Sequence, residues 1–199
     1  MFTQAHRVLA LAHERGVLRA RDLEPLGIPR AVLGRLVAAG RLERIGRGLY
    51  RSPQAAVGPH HSLVEVTARV PRGVVNLLSA LAFHELTDEL PAAVWLAIPR
   101  GSQAPTVDTA RLELTWTAPR FLTLGVTRHT LEGLEVPVTD PARTVADCFK
   151  YRSRVGLDVA IAALRDYLST HRGGRDALWR MAEHCRVRTV IRPYLESLS

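Results

Sequence analysis

Apolar residues recur at helical spacing from the start of the chain: Val8, Leu9, Leu11 and Ala12 form a stripe within residues 3–15. Thr3 stands where an N-cap belongs, and Gly16 where a helix closes. Val17-Leu18-Arg19 is long enough only for an extended bridge. Residues 20–26 read as a second short helix with Leu23 and Leu26 inward, ended by Gly27. Pro29 suits a first helical turn, so a third helix runs from there to Ala39, burying Ile28, Val32 or Leu33, Leu36 and Val37, and Gly40 closes it. Residues 42–45 and 49–51 are two short strands about Gly46-Arg47-Gly48, a hairpin. Helix, bridge, helix, turn, helix, hairpin is the order of a winged helix-turn-helix. That geometry places its third helix in a major groove and its wing on phosphate or minor groove.

Two prolines and a glycine within 52–60 mark a linker. Residues 61–70 read as a helix broken by Pro71-Arg72-Gly73. Residues 74–86 read as a long helix, apolar nearly all round (Val75, Leu77, Leu78, Ala80, Leu81, Ala82, Phe83), and hence a core helix. The period then changes. Residues 93–98 are the unbroken apolar run of a buried strand, 112–116 alternate as a half-exposed strand, and 125–130 and 134–138 are two more around Glu132-Gly133. Asp140 as N-cap and Pro141 at the first position start a helix holding Thr144, Val145, Cys148 and Phe149. Helices over 158–168, 175–185 and 189–198 follow, with no internal repeat or low-complexity tract. The fold class is therefore α+β: an N-terminal winged helix-turn-helix (1–52), a linker (53–60), and a mixed domain (61–199) with a small β-sheet flanked by helices.

A chain of 199 residues is one large domain or two small ones, long enough to bury a core without staples. No apolar run approaches the roughly 18 residues of a membrane span. Met1-Phe2-Thr3-Gln4-Ala5-His6-Arg7 lacks the layout of a signal peptide. With only Cys148 and Cys185, the expectation is a reduced, cytoplasmic chain. The net charge of +8 rests on 26 arginines and one lysine, Lys150. A coding bias accounts for that ratio but not for where the charge sits. Residues 1–60 hold ten arginines against four acids, a net of +6, whereas 61–199 carry a net of only +2. A basic lobe beside a near-neutral one points to a polyanion, most often nucleic acid.

Arg30 and Arg35 fall on the third helix, off its apolar stripe, and Arg41, Arg44, Arg47 and Arg51 lie on or beside the hairpin with Tyr50. The guanidinium fork suits both guanine edges and phosphates, and Gly46 and Gly48 permit a tight tip. These seven residues are the expected DNA-binding set. The competing reading is a winged helix used for protein contacts, with arginines that are merely solvated.

Catalytic patterns are scarce. Phosphate-binding glycine loops and the Gly-x-Ser-x-Gly elbow are absent. Neither cysteine belongs to a CxxC pair, and His60-His61 and His184-Cys185 lack a second pair at ligand spacing, so no metal or cofactor is expected. A metal-dependent nuclease needs two acids and a lysine two residues beyond the strand acid. Glu113-Leu114-Thr115 has the strand and the acid without the lysine, and Asp147-Cys148-Phe149-Lys150 has the wrong spacing on a helix. His84-Glu85 reads first as helix-end contacts and only second as an acid/base pair. Asp140, Arg143, Asp147 and Lys150, spaced by three and four, share one helix face of alternating charge: either intrahelical ion pairs or a partner-binding face. No enzyme activity is expected.

Three stretches resemble a known family. Arg41-Leu42-Glu43-Arg44-Ile45-Gly46-Arg47-Gly48-Leu49-Tyr50-Arg51 resembles the wing of the AbiEi-type antitoxins, and Leu77-Leu78-Ser79-Ala80-Leu81-Ala82-Phe83-His84-Glu85-Leu86-Thr87 resembles their core helix. Val138-Thr139-Asp140-Pro141-Ala142-Arg143-Thr144-Val145-Ala146-Asp147-Cys148-Phe149-Lys150-Tyr151-Arg152, continued by Gly156-Leu157-Asp158-Val159-Ala160, is similar to the most recognisable part of their second domain. The resemblance implies a two-part bacterial protein. Its winged helix binds inverted repeats of double-stranded DNA in the promoter of its own operon and represses it, as a monomer or dimer, by two protomers or two successive binding events. Its second domain assists repression and neutralises a nucleotidyltransferase-like toxin in a type IV toxin–antitoxin system, without a stable complex. The Asp140, Arg143, Asp147, Lys150 stripe would be the antitoxin or partner face. The chain departs from the larger members in its short tail after residue 170. The alternatives are a stand-alone winged-helix transcriptional regulator without a toxin, a divergent nuclease using Glu113 or Asp147, and a protein-interaction module.

Overall fold

The computed structural model describes residues 3–198; residues 1, 2 and 199, at the ends of the expected domains, lie outside the described residues. The chain forms two compact units: one runs to Pro71 and includes His129–Val136, and the other comprises Arg72–Arg128 and the chain from Pro137 on.

In the first unit, α1 (Gln4–Arg15) is capped by Thr3, whose Oγ1 accepts from the His6 amide at 3.3 Å. β1 (Val17–Arg19) leads into a 3-10 helix, Ala20–Leu26, rather than a full α-helix. Pro25 inside it lacks the amide donor that an α-helical turn requires. Asp22 accepts from the Arg19 amide at 2.9 Å and fixes its start. α2 (Ala31–Ala38) begins later than the sequence predicts. Pro29 stays outside it, its carbonyl accepting from Val32 in the entry turn, and Arg30 is the N-cap residue rather than part of the helix body. Val32, Leu33 and Leu36 pack with Val8, Ala12, Leu18, Leu23, Ile28 and Leu42 as the expected apolar core. The wing is β2 (Glu43–Gly46) and β3 (Leu49–Arg51), with β1 on the other side of β3, giving a three-stranded antiparallel sheet in the order β1-β3-β2.

The first unit does not stop at the expected linker. α3 (His61–Arg69) belongs to it because β2 lies against its last turn: a Cβ on Gly46 would stand 2.5 Å from the Ala68 carbonyl oxygen. A tight turn also joins this unit, Glu132-Gly133, with φ of 48° and 78°. Positive φ at both central residues is what a type I′ two-residue hairpin requires. Gly133 is obligatory for a second reason, since a Cβ there would collide with the Arg15 carbonyl.

The second unit holds β4 (Val74–Val75), β5 (Val94–Pro99), β6 (Leu112–Thr117) and the parts of β7 (Val126–Leu131) and β8 (Leu134–Thr139) outside His129–Val136, strands of a mixed sheet in the order β6-β5-β4-β8-β7. β5 runs parallel to β6 and antiparallel to β4, and β4 pairs in parallel with β8. The expected long helix over 74–86 is corrected here: Val74-Val75 is a central strand, the chain turns at Asn76, and only α4 (Leu77–Phe83) is helical. A strand buried on both faces is as uniformly apolar as a core helix, so periodicity could not separate them. α5 (Pro141–Lys150) starts as expected, with the Asp140 carboxylate accepting from the Arg143 amide at 2.7 Å. α6 (Arg152–Val155), too short to have been expected, precedes α7 (Leu157–Thr170), α8 (Arg175–His184) and α9 (Arg188–Ser197). These helices enclose Leu81, Phe149, Leu164, Leu178 and Ile191 in one core. The protein is thus α+β, a winged helix followed by a mixed sheet with helices around it. Among the described residues, no helix is long and apolar enough to cross a membrane.

Candidate nucleic-acid interface

The wing tip is tied to the start of the 3-10 helix by one backbone bond: the Ala20 amide donates to the Gly48 carbonyl at 2.8 Å. Arg19 and Arg21 flank Ala20, and Arg47 adjoins Gly48, so this bond gathers three arginines from separate elements. Arg30 from the α2 N-cap, Arg44 from β2 and Arg69 from α3 join them around a groove of about 820 Å³, with Tyr50 in its wall and a single acid, Glu135. Arg21, Arg30, Arg44 and Arg47 are exposed. Arg30 pairs with Glu24, and Arg69 lies 3.8 Å from Glu65. The exposed Arg30–Glu24 pair contributes about 0–1 kcal/mol and exchanges readily for a phosphate, whereas Arg69 is half-buried and also donates to the Glu65 carbonyl at 3.3 Å.

Arg35 is also exposed, but it lines a different hollow, with Thr3, Gln4 and Ala39. The outward face of α2 is otherwise bare: Ala31, Gly34 and Ala38 are exposed beside Arg35. Arg41 is exposed just beyond α2. Arg51 turns inward, its side chain only 17% exposed. Its Nε donates to Glu43 at 2.9 Å, and its Nη1 lies 2.7 Å from Nε2 of His61, whose Nδ1 is 2.9 Å from Glu132. A ring that accepts at Nε2 and donates from Nδ1 satisfies both neighbours. The Gly58 amide also donates to Glu132, at 2.8 Å. Arg51 therefore holds β2, β3 and α3 together. Of the expected set, Arg30, Arg44, Arg47 and Tyr50 share one groove, Arg35 and Arg41 lie elsewhere on the surface, and Arg51 is internal. Arg19, Arg21 and Arg69, which line the same groove, are not in the expected set. The first two were legible as charge, but nothing local tells that Arg69 ends beside the wing.

In the second unit the charged stripe of α5 largely faces the interior. Arg143 and Asp147 are 3% and 2% exposed, with Nε donating to Oδ2 at 2.7 Å. Arg143 also donates to the Leu124 carbonyl at 2.7 Å, and the Cys185 thiol lies 3.5 Å from Asp147 Oδ1. Arg120, Arg143 and Lys150 each stand within 4.9 Å of the Phe121 ring centre. Asp140 and Lys150 alone of the four keep partial exposure. Burial raises the Asp147 carboxyl above its ordinary range, against the pull of the Arg143 guanidinium. Burial and the Asp147 charge push the Cys185 thiol up to about 12 and raise Cys148 as well, which leaves both sulfurs protonated and inert. His84 donates from Nε2 to the Thr139 carbonyl at 2.7 Å, a helix-end contact. Glu113 holds Arg154 at 3.0 Å and Arg111 at 3.4 Å. Among the described residues, no three His, Cys, Asp or Glu side chains gather to hold a metal.

The helices and the β1-β3-β2 sheet, with arginines clustered at the wing, define a winged helix-turn-helix of the nucleic-acid-binding class. Residues 6–53, from within α1 through β3, match the family described as "Transcriptional regulator, AbiEi antitoxin". No curated protein matches the chain. Among solved structures, the crystal structure of the RV2827C protein from Mycobacterium tuberculosis is similar, with a TM-score of 0.54, 16% identity, and coverage of 91% of this chain and 75% of that one. At that identity the likeness is one of fold.

Proposed function

We propose that the protein is a sequence-specific DNA-binding repressor of its own operon and the antitoxin of a type IV toxin–antitoxin system, acting in the cytoplasm without catalysis of its own. In this reading the winged helix, expected over 1–52, binds inverted repeats upstream of its gene. The remainder, expected over 61–199, opposes a nucleotidyltransferase-like toxin without a stable complex. The supporting observation is a coincidence: the segment that matches the AbiEi regulators is also the one that folds as a winged helix and carries most of the excess positive charge. Arg35, with Arg30, reads base edges from α2, and Arg41, Arg44, Arg47 and Tyr50 hold the backbone. Arg51 positions the wing from within.

A reporter gene behind the protein's own upstream DNA tests the repressor role. Expression falls when the protein is supplied and recovers with Arg35→Ala; unchanged expression contradicts the reading. Co-expression with a neighbouring nucleotidyltransferase-like gene tests the antitoxin role. Restored growth supports it, and unrelieved toxicity reduces the protein to a stand-alone regulator. The nuclease alternative has no supporting observation: Glu113 is held by two arginines and Asp147 is buried against Arg143.

A further inference from the structure

The arginine-lined groove does not end with the segment that matches the AbiEi family. Thr67 and Arg69, both on its wall, come from α3, beyond residue 53. Thr67 is only 5% exposed, and its hydroxyl has no hydrogen-bond partner among the described residues. A helical threonine can return its hydroxyl to a carbonyl one turn back, and a buried hydroxyl without a partner is unfavourable. That oxygen has almost no accessible surface, so Thr67 contributes wall and not a donor to a groove lined by six arginines and one acid. Nor does α3 lie against the wing loosely. Gly46 admits the Ala68 carbonyl at a distance no side chain would allow, and the Arg51–His61 contact fixes the first turn of the same helix.

We propose that this groove seats the sugar–phosphate backbone of the bound duplex, so that the DNA interface extends past the wing onto α3, with Arg19, Arg21 and Arg69 on phosphate oxygens. The proposal rests on the DNA-binding reading above and adds to it. Guanidinium groups are donors suited to a phosphodiester. They converge from β1, the 3-10 helix, α2, the wing and α3, and four of the six arginines are exposed. A track assembled from so many elements suits an extended strand better than a compact ligand. Free nucleotide offers the same phosphate chemistry, and the experiment separates the two sources.

Arg21→Ala and Arg69→Ala are compared with wild type and with Arg47→Ala as the wing reference. Binding to the protein's own upstream duplex and to a scrambled duplex is measured by fluorescence anisotropy across a salt series, and ATP binding by calorimetry. Melting temperature reports folding. Arg21→Ala and Arg69→Ala are each expected to lower the slope of log K against log salt by about 0.9 and to weaken both duplexes by the same factor. ATP is expected to show no saturable binding. If Arg47→Ala lowers the slope while Arg21→Ala and Arg69→Ala do not, α3 is outside the interface and this inference falls while the DNA-binding reading stands. Saturable ATP binding that Arg69→Ala abolishes, with DNA slopes intact, assigns the groove to a free nucleotide and overturns it. A wild-type protein that binds neither duplex overturns both.

Discussion

Arg47 and Arg51 sit four residues apart on the wing, and their surroundings give them opposite work. Arg47 is exposed at the tip. Replacing it with alanine should leave the melting temperature unchanged and lower the salt slope of DNA binding by about 0.9. Arg51 bridges Glu43 and His61. Arg51→Ala should lower the melting temperature, and the lost affinity should return in stabilising osmolyte, which no phosphate contact would do; an intact melting temperature with a lower slope would contradict this. The sequence showed both residues as wing arginines in a basic lobe, but not that a histidine ten positions on and a glutamate far along the chain would turn one of them inward. Cys185 offers a test by pH. Its thiol, ordinarily near 9.0, is pushed up to about 12, so above pH 9 the unfolded chain ionises this group and the folded one does not. The contribution is full below that pH and lost as pH rises toward the folded value. In urea titrations, Cys185→Ala should show a fall in stability shallower than wild type by one proton, about 1.4 kcal/mol per pH unit. Parallel slopes would place an ionisable thiol in the folded state.

At the scale of elements, α2 carries the sharpest test. A Cβ on Gly34 would meet nothing within 4 Å, so the fold gains nothing from glycine there. Gly34→Ala should raise stability by about 1 kcal/mol in denaturant titration, with its effect on DNA affinity showing how closely the helix backbone approaches bases. A loss of stability would mean the helix face is covered. Gly133 is the reverse case. Its φ of 78° and the Arg15 carbonyl against it leave no room for a side chain. Gly133→Ala should cost more than the roughly 1 kcal/mol of an ordinary glycine-to-alanine strain effect, read by the same titration. Elements with local punctuation were legible: Thr3 and Gly16 bound α1, Asp140-Pro141 starts α5, and Glu132-Gly133 turns its hairpin. Those fixed by tertiary contact were not. Val74-Val75 is a strand because β5 and β8 lie on either side, and Pro29 drops out of α2 because its carbonyl closes the entry turn.

For the whole molecule, the legible feature was charge asymmetry. It located the DNA-binding candidate in the first sixty residues because a surface excess of arginine is visible without a structure. What the sequence could not show is which arginines converge. Three of the six around the groove come from outside the recognition helix and wing, brought there by the Ala20–Gly48 bond and by the seat of β2 on α3. The α5 stripe, spaced for a polar face, holds a buried ion pair instead. Its i,i+4 spacing fits both outcomes, and only packing decides between them. The central claim is that the winged helix recognises a particular DNA sequence. The most direct measurement is fluorescence anisotropy of the full chain on its own upstream duplex and on a scrambled duplex of equal length across a salt series. Binding roughly a thousandfold tighter to the native duplex is the expected result. Equal affinities that vanish together as salt rises would contradict it, leaving the arginines only a counterion-release role.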